Sequence, residues 1–301
     1  MSAIAPEVEL AGTAPAVRGP QRQWIQTLRR SARQTRTRVG IGITGLVVLL
    51  AIFGPLLAPH SPTEFVGVPY GPESATAPLG TDGLGRDILS RFLYGGRTVI
   101  GLSLISTIVG VGLGALIGLV AAHARGIVDD VLMRGNDVLL AFPQIVLALL
   151  LVAGGGTHLW LIVLTVGIGH APRTARIIRG AASEVVERDY IKAVEMLGER
   201  RRRVLFKEIL PNVSSPLLVE FGLRLTYSIG IVAAVSFLGF GLQPPAADWG
   251  LMINENRLGI TQQPMAVALP VIAIGLLTVG TNLITDGLAR ASIGIDRREG
   301  A

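Results

Sequence analysis

The chain has 301 residues and a formal net charge of +6; half of its residues are hydrophobic and only 16% are charged. Soluble domains usually carry about 25% charged residues, so this composition excludes two ordinary soluble domains and favours a membrane protein. The absence of cysteine excludes disulfides, thiolate metal sites and cysteine nucleophiles. The four histidines form no H-E-x-x-H pair, so we predict no metal site and no catalytic residues.

The chain begins with a polar and basic segment, residues 1–38, which we interpret as a cytoplasmic tail. Its first residues, about 20 in number, are rich in Ala, Pro and Glu without hydrophobic periodicity, so they should be disordered. From Gln21 to Arg38 the segment is basic and carries Trp24, Ile25 and Leu28, which is typical of a short amphipathic helix on the inner leaflet. A simple positively charged anchor is the alternative.

Six apolar stretches follow, each close to the length of about 20 residues that a helix needs to cross the hydrocarbon core. Only helices satisfy their own backbone groups over such runs, so the predicted fold class is all-α, a polytopic membrane protein with about six spans inside residues 39–290. Residues 291–301 then form a second tail. The predicted spans cover 39–58, 98–122, 131–153, 159–176, 216–242 and 266–288.

Glycine and proline predict local features of three of these spans. In the second span, Gly110, Gly114 and Gly118 recur at spacing four, which allows another helix to approach closely. Pro143 should kink the third span, and Pro172 should interrupt the fourth, whose apolar run is short.

The basic residues predict the orientation. Most of the 27 Lys and Arg residues lie before residue 39, between 172 and 213, or after 288. By the positive-inside rule, both termini and the 172–213 connection are therefore cytoplasmic. These basic residues also give the isoelectric point near 10.4. Because basic residues at the cytoplasmic face contact the anionic lipids of the bilayer, they need no nucleic-acid partner, and we expect none.

The cytoplasmic stretch 183–211 predicts a helix, a stop at Gly198 and a second helix that ends at Pro211. Two interpretations remain open from the periodicity: a helix pair lying on the lipid headgroups, or a docking element for a soluble partner. The apolar stripe of the first helix contains Val186, Tyr190, Ala193, Val194 and Leu197.

This stretch resembles the cytoplasmic signature of permease subunits of bacterial ABC importers, which reads E-A-A, then Gly, then about ten residues and a hydrophobic-Leu-Pro. Here residues 192–198 read K-A-V-E-M-L-G and residues 209–211 read I-L-P. Lys192 replaces the usual first Glu, and Val194 replaces the usual second Ala.

Further motifs are similar to the second of the two membrane subunits of the dipeptide, oligopeptide and nickel importers. The resemblance runs in consistent order over roughly residues 40–290, with a departure at Val232, where that group usually has an acidic residue. The matching motifs are L-G-T-D at 79–82, G-R-D at 85–87, S-R at 90–91, Y-G at 94–95, Arg97, M-R at 133–134, Asp137, A-F-P at 141–143, L-P-N-V at 210–213, P-L-L at 216–218, S-F-L-G at 236–239, Q-P-P at 243–245, W-G at 249–250, N-L at 282–283 and D-G-L at 286–288.

The resemblance implies a type I ABC importer permease fold in a bacterial plasma membrane. It also implies a second permease subunit, two cytoplasmic ATPase subunits that bind ATP and Mg, and an extracytoplasmic solute-binding protein. The sequence has no G-x-x-x-x-G-K-[ST] phosphate loop, so ATP must bind to another chain. We therefore expect a non-enzymatic subunit that binds no cofactor itself and forms half of a pathway for short peptides.

The resemblance also assigns candidate site residues. A coupling helix would contact an ATPase and move the fourth and fifth spans with it. In the fifth span, Glu220 and Arg224 lie at spacing four, so they can pair with each other. The alternative is that Arg224 lines the pathway. Asp286 either pairs or caps near the inner end of the sixth span or faces the pathway. The candidates for ATPase coupling are Val186, Tyr190, Lys192, Ala193, Val194, Leu197, Gly198, Leu210 and Pro211; Asp82, Arg86, Asp87 and Trp249 either dock the solute-binding protein or hold the outer loops together.

Three alternatives to peptide import remain at this point. Nickel or another small solute is a variant within the same family. A stand-alone secondary transporter would show paired repeats, and none can be aligned here. An intramembrane enzyme would need convergent catalytic side chains at depth, whereas His170 and Ser236 lie on different spans.

Overall fold

The computed structural model describes residues 23–293, and this part of the chain is helical. Within it no strand forms; two isolated β-bridges, Phe65 with Arg86 and Thr81 with Asp87, close the outer loop between the first two spans. The all-α prediction is confirmed for these residues. The disorder predicted for the first part of the N-terminal tail, and residues 294–301 of the C-terminal tail, lie outside the described residues.

The helices of the described part follow one another through short connections, apart from the long outer loop at residues 58–87. A π-helical segment, Val204–Ile209, joins α8 to α9, and another, Ser236–Phe240, extends α10. The α-helices are α1 Gln23–Ser31, α2 Thr35–Leu57, α3 Ile88–Ala124, α4 Gly126–Leu140, α5 Gln144–Gly155, α6 Leu159–Val186, α7 Asp189–Met196, α8 Arg201–Arg203, α9 Leu210–Asn212, α10 Ser214–Val235, α11 Trp249–Asn256 and α12 Met265–Ile293.

Five of the predicted spans are confirmed as helices long and apolar enough to cross a membrane: α2, α3, α6, α10 with its π-helical end, and α12. The predicted third span is instead the pair α4 and α5, which meet at 83°. Pro143 immediately precedes α5. Proline has no backbone N–H to donate, and its ring disfavours a helical conformation of the preceding residue. The predicted kink is therefore a full break.

Two predicted boundaries are wrong. Helix α3 begins at Ile88, well before residue 98, because the Asp87 side chain caps it by accepting a 2.9 Å hydrogen bond from the backbone N of Ser90. Helix α6 passes through Pro172 and ends at Val186 instead of near residue 176. Proline is tolerated inside a span where a neighbouring helix supports the backbone, and Pro172 is buried in the contact of α6 with its neighbours.

The glycine ridge of α3 supplies that support. Each of its three glycines faces a backbone carbonyl of α6 so closely that a methyl group would collide with it, which confirms the predicted close approach. An added Cβ would lie 2.6 Å from the Gly167 oxygen at Gly110, 2.5 Å from the Ala171 oxygen at Gly114 and 2.6 Å from the Ala175 oxygen at Gly118.

Buried apolar side chains form three clusters along the bundle. One lies at the end that the basic residues predict to be cytoplasmic, where α3 and α6 meet α7 and the Val204–Ile209 segment. A second surrounds Trp249 at the opposite end, predicted to be the outer one, and a third joins α5 and α6 to α10. The two functional regions considered below therefore each rest on a core cluster of their own.

Candidate functional site

The cytoplasmic loop after α6 carries a short helix, α7, that protrudes from the bundle. Helix α6 ends at Val186, residues 187–188 break the chain direction, and α7 begins at Asp189. The stripe predicted from Val186 to Leu197 is therefore divided: Val186 is a buried residue at the end of α6 and does not belong to α7. Gly198 has φ +76°, a left-handed conformation that glycine adopts at little cost, so the predicted stop is confirmed.

One face of α7 is anchored and the opposite face is open. Ile191 is fully buried in the cytoplasmic core cluster, whereas Met196 and Leu197 are each 82% exposed. The periodicity analysis overlooked both Ile191 as the anchor and Met196 as part of the open face. Of the other predicted coupling residues, Tyr190, Lys192 and Ala193 are exposed and Val194 is half-buried.

Leu210 and Pro211 lie at the far end of the same loop, in α9, where the chain turns into α10. Asn212 links this turn to α7, because its Nδ2 donates a 3.0 Å hydrogen bond to the Tyr190 hydroxyl. Partial burial raises the pKa of the Tyr190 phenol above its ordinary value, so the group is a neutral hydroxyl. An exposed hydrogen bond thus ties the two ends of the loop together.

In α10, Glu220 and Arg224 form a buried ion pair, with 3.0 Å between Arg224 Nε and Glu220 Oε2. Thr174 of α6 donates to the same carboxylate oxygen at 3.4 Å. This is the pairing that spacing four predicted. The guanidinium carbon of Arg224 also lies 5.6 Å from the ring centroid of Tyr227, an exposed residue that sequence reasoning did not single out.

A second polar network centres on His170, which is fully buried in α6. Its Nε2 lies 2.9 Å from Ser228 Oγ of α10, and its Nδ1 lies 3.2 Å from Gln144 Nε2 of α5. Thr107 of α3 donates to Ser228 at 2.9 Å. The network joins four helices, and Ser236 is not part of it. Its members are far apart in sequence and follow no short motif, so nothing in the sequence could have assembled them.

The remaining polar candidates of the spans lie near the surface. Asp286 in α12 is exposed and has no ion pair within the described residues. Asp137 in α4 pairs with Arg176 of α6.

At the outer end, the four predicted docking residues are all buried. Arg86 Nη2 lies 2.7 Å from Asp82 Oδ2, and Asp87 is the cap of α3. Trp249 stacks on Phe92 with ring centroids 5.7 Å apart and donates its indole N–H to the Phe92 carbonyl at 2.9 Å. These side chains hold the outer loops together, which was the alternative reading, and they present no surface of their own.

Two residues that sequence reasoning missed complete this outer cluster. Arg91, fully buried, and Arg86 both bind Glu255 of α11, with Nη2 to Oε2 distances of 2.7 and 2.9 Å. Arg91 was visible only as part of the S-R motif, and Glu255 lies in no motif. Nearby, Asp248 caps α11 and accepts from Ser236, and burial raises the pKa of its carboxyl.

No three His, Cys, Asp or Glu side chains come together as metal ligands would within residues 23–293.

Comparison with known proteins gives two family matches. Residues 110–293 match the family described as binding-protein-dependent transport system inner membrane component, and residues 22–72 match the N-terminal transmembrane domain of oligopeptide transport permease C.

Individual relatives align over nearly the whole chain. A glutathione transport system permease protein, GsiD of Pectobacterium atrosepticum, is 35% identical and covers 94% of this chain and 95% of its own. The di/tripeptide transport system permease protein DppC of Pseudomonas aeruginosa is 36% identical and covers 82% of this chain and 84% of its own. Among solved structures, an inward-facing MetNI methionine ABC transporter matches 65% of this chain and 95% of its own, with 18% identity and a TM-score of 0.48.

Proposed function

This chain belongs to the family of binding-protein-dependent transport system inner membrane components and is a permease subunit of an ABC importer, and we propose that its cargo is short peptides. The two relatives above are named for glutathione and for di- and tripeptides. Glutathione is itself a tripeptide, so both names point to one chemical class. Nickel or another small solute stays the alternative cargo.

We further propose that α7 is the coupling helix, through which a cytoplasmic ATPase moves the permease. The observation that carries this proposal is the division of α7 into a buried anchor, Ile191, and an open apolar end, Met196 and Leu197, each 82% exposed. Apolar side chains exposed on a short cytoplasmic helix are typical of a protein contact. The hydrogen bond from Asn212 to Tyr190 ties α7 to α9, at the turn into α10, which supports a rigid docking element over a helix lying loosely on lipid headgroups.

The partners follow from the same proposal. A second permease subunit completes the pathway, two ATPase subunits bind ATP and Mg, and an extracytoplasmic binding protein delivers the peptide. Apolar side chains exposed along α4 and α5, among them Val131, Val138 and Leu150, give the second permease or lipid a surface to cover. The chain is a multi-pass inner-membrane protein, and the distribution of Lys and Arg supports cytoplasmic termini.

The proposed pathway lies beside α10. Glu220 holds Arg224 by their buried ion pair, and the exposed Tyr227 ring next to the guanidinium is the group that would meet cargo. Asp286 stays a candidate for the inner mouth of the pathway because it is exposed. On the outer side, we propose that the binding protein docks on the loops that the buried Asp82, Arg86, Asp87 and Trp249 hold in place.

A bulky charge on the open face of α7 tests the coupling proposal. Ala193→Arg should abolish co-purification of the ATPase subunits and peptide uptake, because the exposed Ala193 leaves room for a partner that Arg would displace. Both are measured with all subunits co-expressed, together with the amount of permease in the membrane. Ala75→Arg, the same change at an exposed outer-loop position, is the matched control for docking and should leave ATPase co-purification unchanged.

If Ala193→Arg keeps both ATPase association and uptake, α7 is not the docking element. If uptake is lost while the ATPase still co-purifies in full, Ala193 is needed for transport but does not lie in the docking contact.

A further inference from the structure

Three ion pairs and one histidine–carboxylate contact join the end of α3 and the length of α4 to the segment that runs from α6 into α7. We call this set the charged clamp. In each pair, one partner lies in α3, in α4 or at their junction, and the other lies in α6, in α7 or between them. The pairs are Arg179 with Asp129, Arg176 with Asp137, Arg125 with Glu187, and His123 with Glu195.

The side of the clamp on α6 is regular. Arg173, Arg176 and Arg179 recur every third residue and so lie on one side of the helix. Each reaches towards α4 or α5: Arg173 donates to Gln144 Oε1 at 3.1 Å, Arg176 pairs with Asp137, and Arg179 holds both carboxylate oxygens of Asp129 through Nε and Nη2. A bidentate pair of this kind fixes orientation as well as distance.

The two remaining pairs of the clamp reach the segment that contains α7. Arg125 lies at the α3–α4 junction, and its Nη2 is 3.8 Å from Glu187, in the two-residue break between α6 and α7. His123 Nδ1, at the end of α3, is 3.3 Å from Glu195 Oε1, near the end of α7. The ends of α7 are thus both connected to the α3–α4 junction.

Helix α4 is built to move as a unit. Both residues at its start, Arg125 and Gly126, have left-handed φ values of +53° and +58°, so the chain turns sharply there. At its other end the 83° break separates α4 from α5. Between these two breaks, Asn136 is the one buried residue of α4, so little packing within this chain fixes its position, and its exposed apolar side chains belong to the surface proposed above for the second permease or lipid.

The surroundings also leave room for movement. A cavity of about 510 Å³ opens between the α3–α4 junction and the α7–α8 turn, with His123, Val128, Glu195 and Arg201 in its walls. Exposed ion pairs contribute little singly, so the link rests chiefly on the bidentate Arg179–Asp129 pair, whose carboxylate is half-buried.

We propose that the charged clamp carries the ATPase-driven movement of α7 to α4, as a second route beside the direct continuation of the loop into α6 and α10. This inference rests on the proposed role of α7 as the coupling helix. The clamp residues act through others and are positioning residues for transport: they bind neither cargo nor ATP.

The test measures the position of α4 in the whole complex. Because the chain contains no cysteine, single cysteines at Arg134 in α4 and Ile108 in α3, both exposed, can carry spin labels. The distance between the labels is measured in the reconstituted importer without nucleotide and after trapping with ATP and vanadate. We expect the distance to change on trapping in the otherwise unaltered chain.

Arg179→Glu should remove most of this change, because it places two carboxylates opposite each other, while ATPase co-purification stays normal. The charge swap Arg179→Asp with Asp129→Arg should restore the change, which a purely steric role of Arg179 would not allow. Arg36→Glu, at an exposed arginine outside the clamp, is the matched control and should leave the change as it was.

The outcomes separate the two proposals. A label distance that never responds to trapping, or a response that Arg179→Glu leaves intact, overturns the clamp. Loss of the ATPase from the complex instead concerns docking. If the unaltered chain does not retain the ATPase, the proposed role of α7 fails. If only Arg179→Glu and its charge swap lose the ATPase, Arg179 belongs to the docking surface and the clamp is overturned.

Discussion

The two ends of the bundle use charge in opposite ways. At the outer end, Arg86 and Arg91 are buried, and each pairs with both Asp82 and Glu255. At the cytoplasmic end, most pairs are open to water, and Met196 and Leu197 are left uncovered. Buried pairs are costly to break, whereas exposed pairs rearrange easily. The comparison indicates a rigid outer frame and a cytoplasmic end that is adapted for contact and movement.

The largest expected effect breaks the outer frame. Arg91→Ala leaves Glu255 and Asp82 with one arginine instead of two in a buried site, and removing one partner of a buried pair costs roughly 3–5 kcal/mol. The thermal unfolding midpoint of the purified complex should fall accordingly. Arg257→Ala changes an exposed arginine of the same region, and its unfolding free energy should stay within about 0.5 kcal/mol of that of the unaltered chain. Equal unfolding midpoints for the two variants would show that the buried ion pairs of the outer end do not form a rigid frame.

A smaller effect is expected where the cytoplasmic loop is anchored. Ile191→Ala empties a fully buried position, which costs about 2 kcal/mol or more in the contacts of α7 with the cytoplasmic core cluster. Because α7 lies at the periphery, the loss should open the loop locally and leave the spans folded. Trypsin cleavage in the arginine run at residues 200–203 should then be roughly 30-fold faster, as 2 kcal/mol corresponds to that ratio of open loop.

Val194→Ala, at a half-buried position of the same helix, is the matched control and should accelerate cleavage less. A cleavage rate for Ile191→Ala that equals that of Val194→Ala would show that the anchor contributes nothing special.

The two ends also differ in what the sequence reveals. Hydrophobic length alone predicted six spans, five of which are single helices, and the spacing of Gly110, Gly114 and Gly118 predicted close approach by another helix, because both signals are local. The family signature located α7 and its stop at Gly198. These are the features for which a few neighbouring residues decide the conformation.

What could not be predicted depends on residues distant in the chain. Burial of Asp82 and Arg86 is set by Glu255, which is 169 residues away from Arg86. His170 finds its two partners on other helices, Gln144 on α5 and Ser228 on α10. The break at Pro143 and the continuity at Pro172 differ because α3 supports the second proline, and that support is a tertiary contact. Periodicity carries no information on any of these.

The smallest effect on stability should accompany a large effect on assembly. Met196→Ala and Leu197→Ala truncate side chains that are 82% exposed, so each should change the unfolding free energy by less than about 0.5 kcal/mol. If these side chains fill a pocket of the ATPase, each truncation removes apolar contact area from the complex, and the double variant should lower ATPase affinity by about tenfold or more. Titration of the ATPase against reconstituted permease measures this. Leu84→Ala, at an exposed leucine of the outer loop, should alter neither quantity. Unchanged affinity in the double variant would mean that the cytoplasmic end is exposed without being an interface, and the contrast between the two ends would then concern rigidity alone.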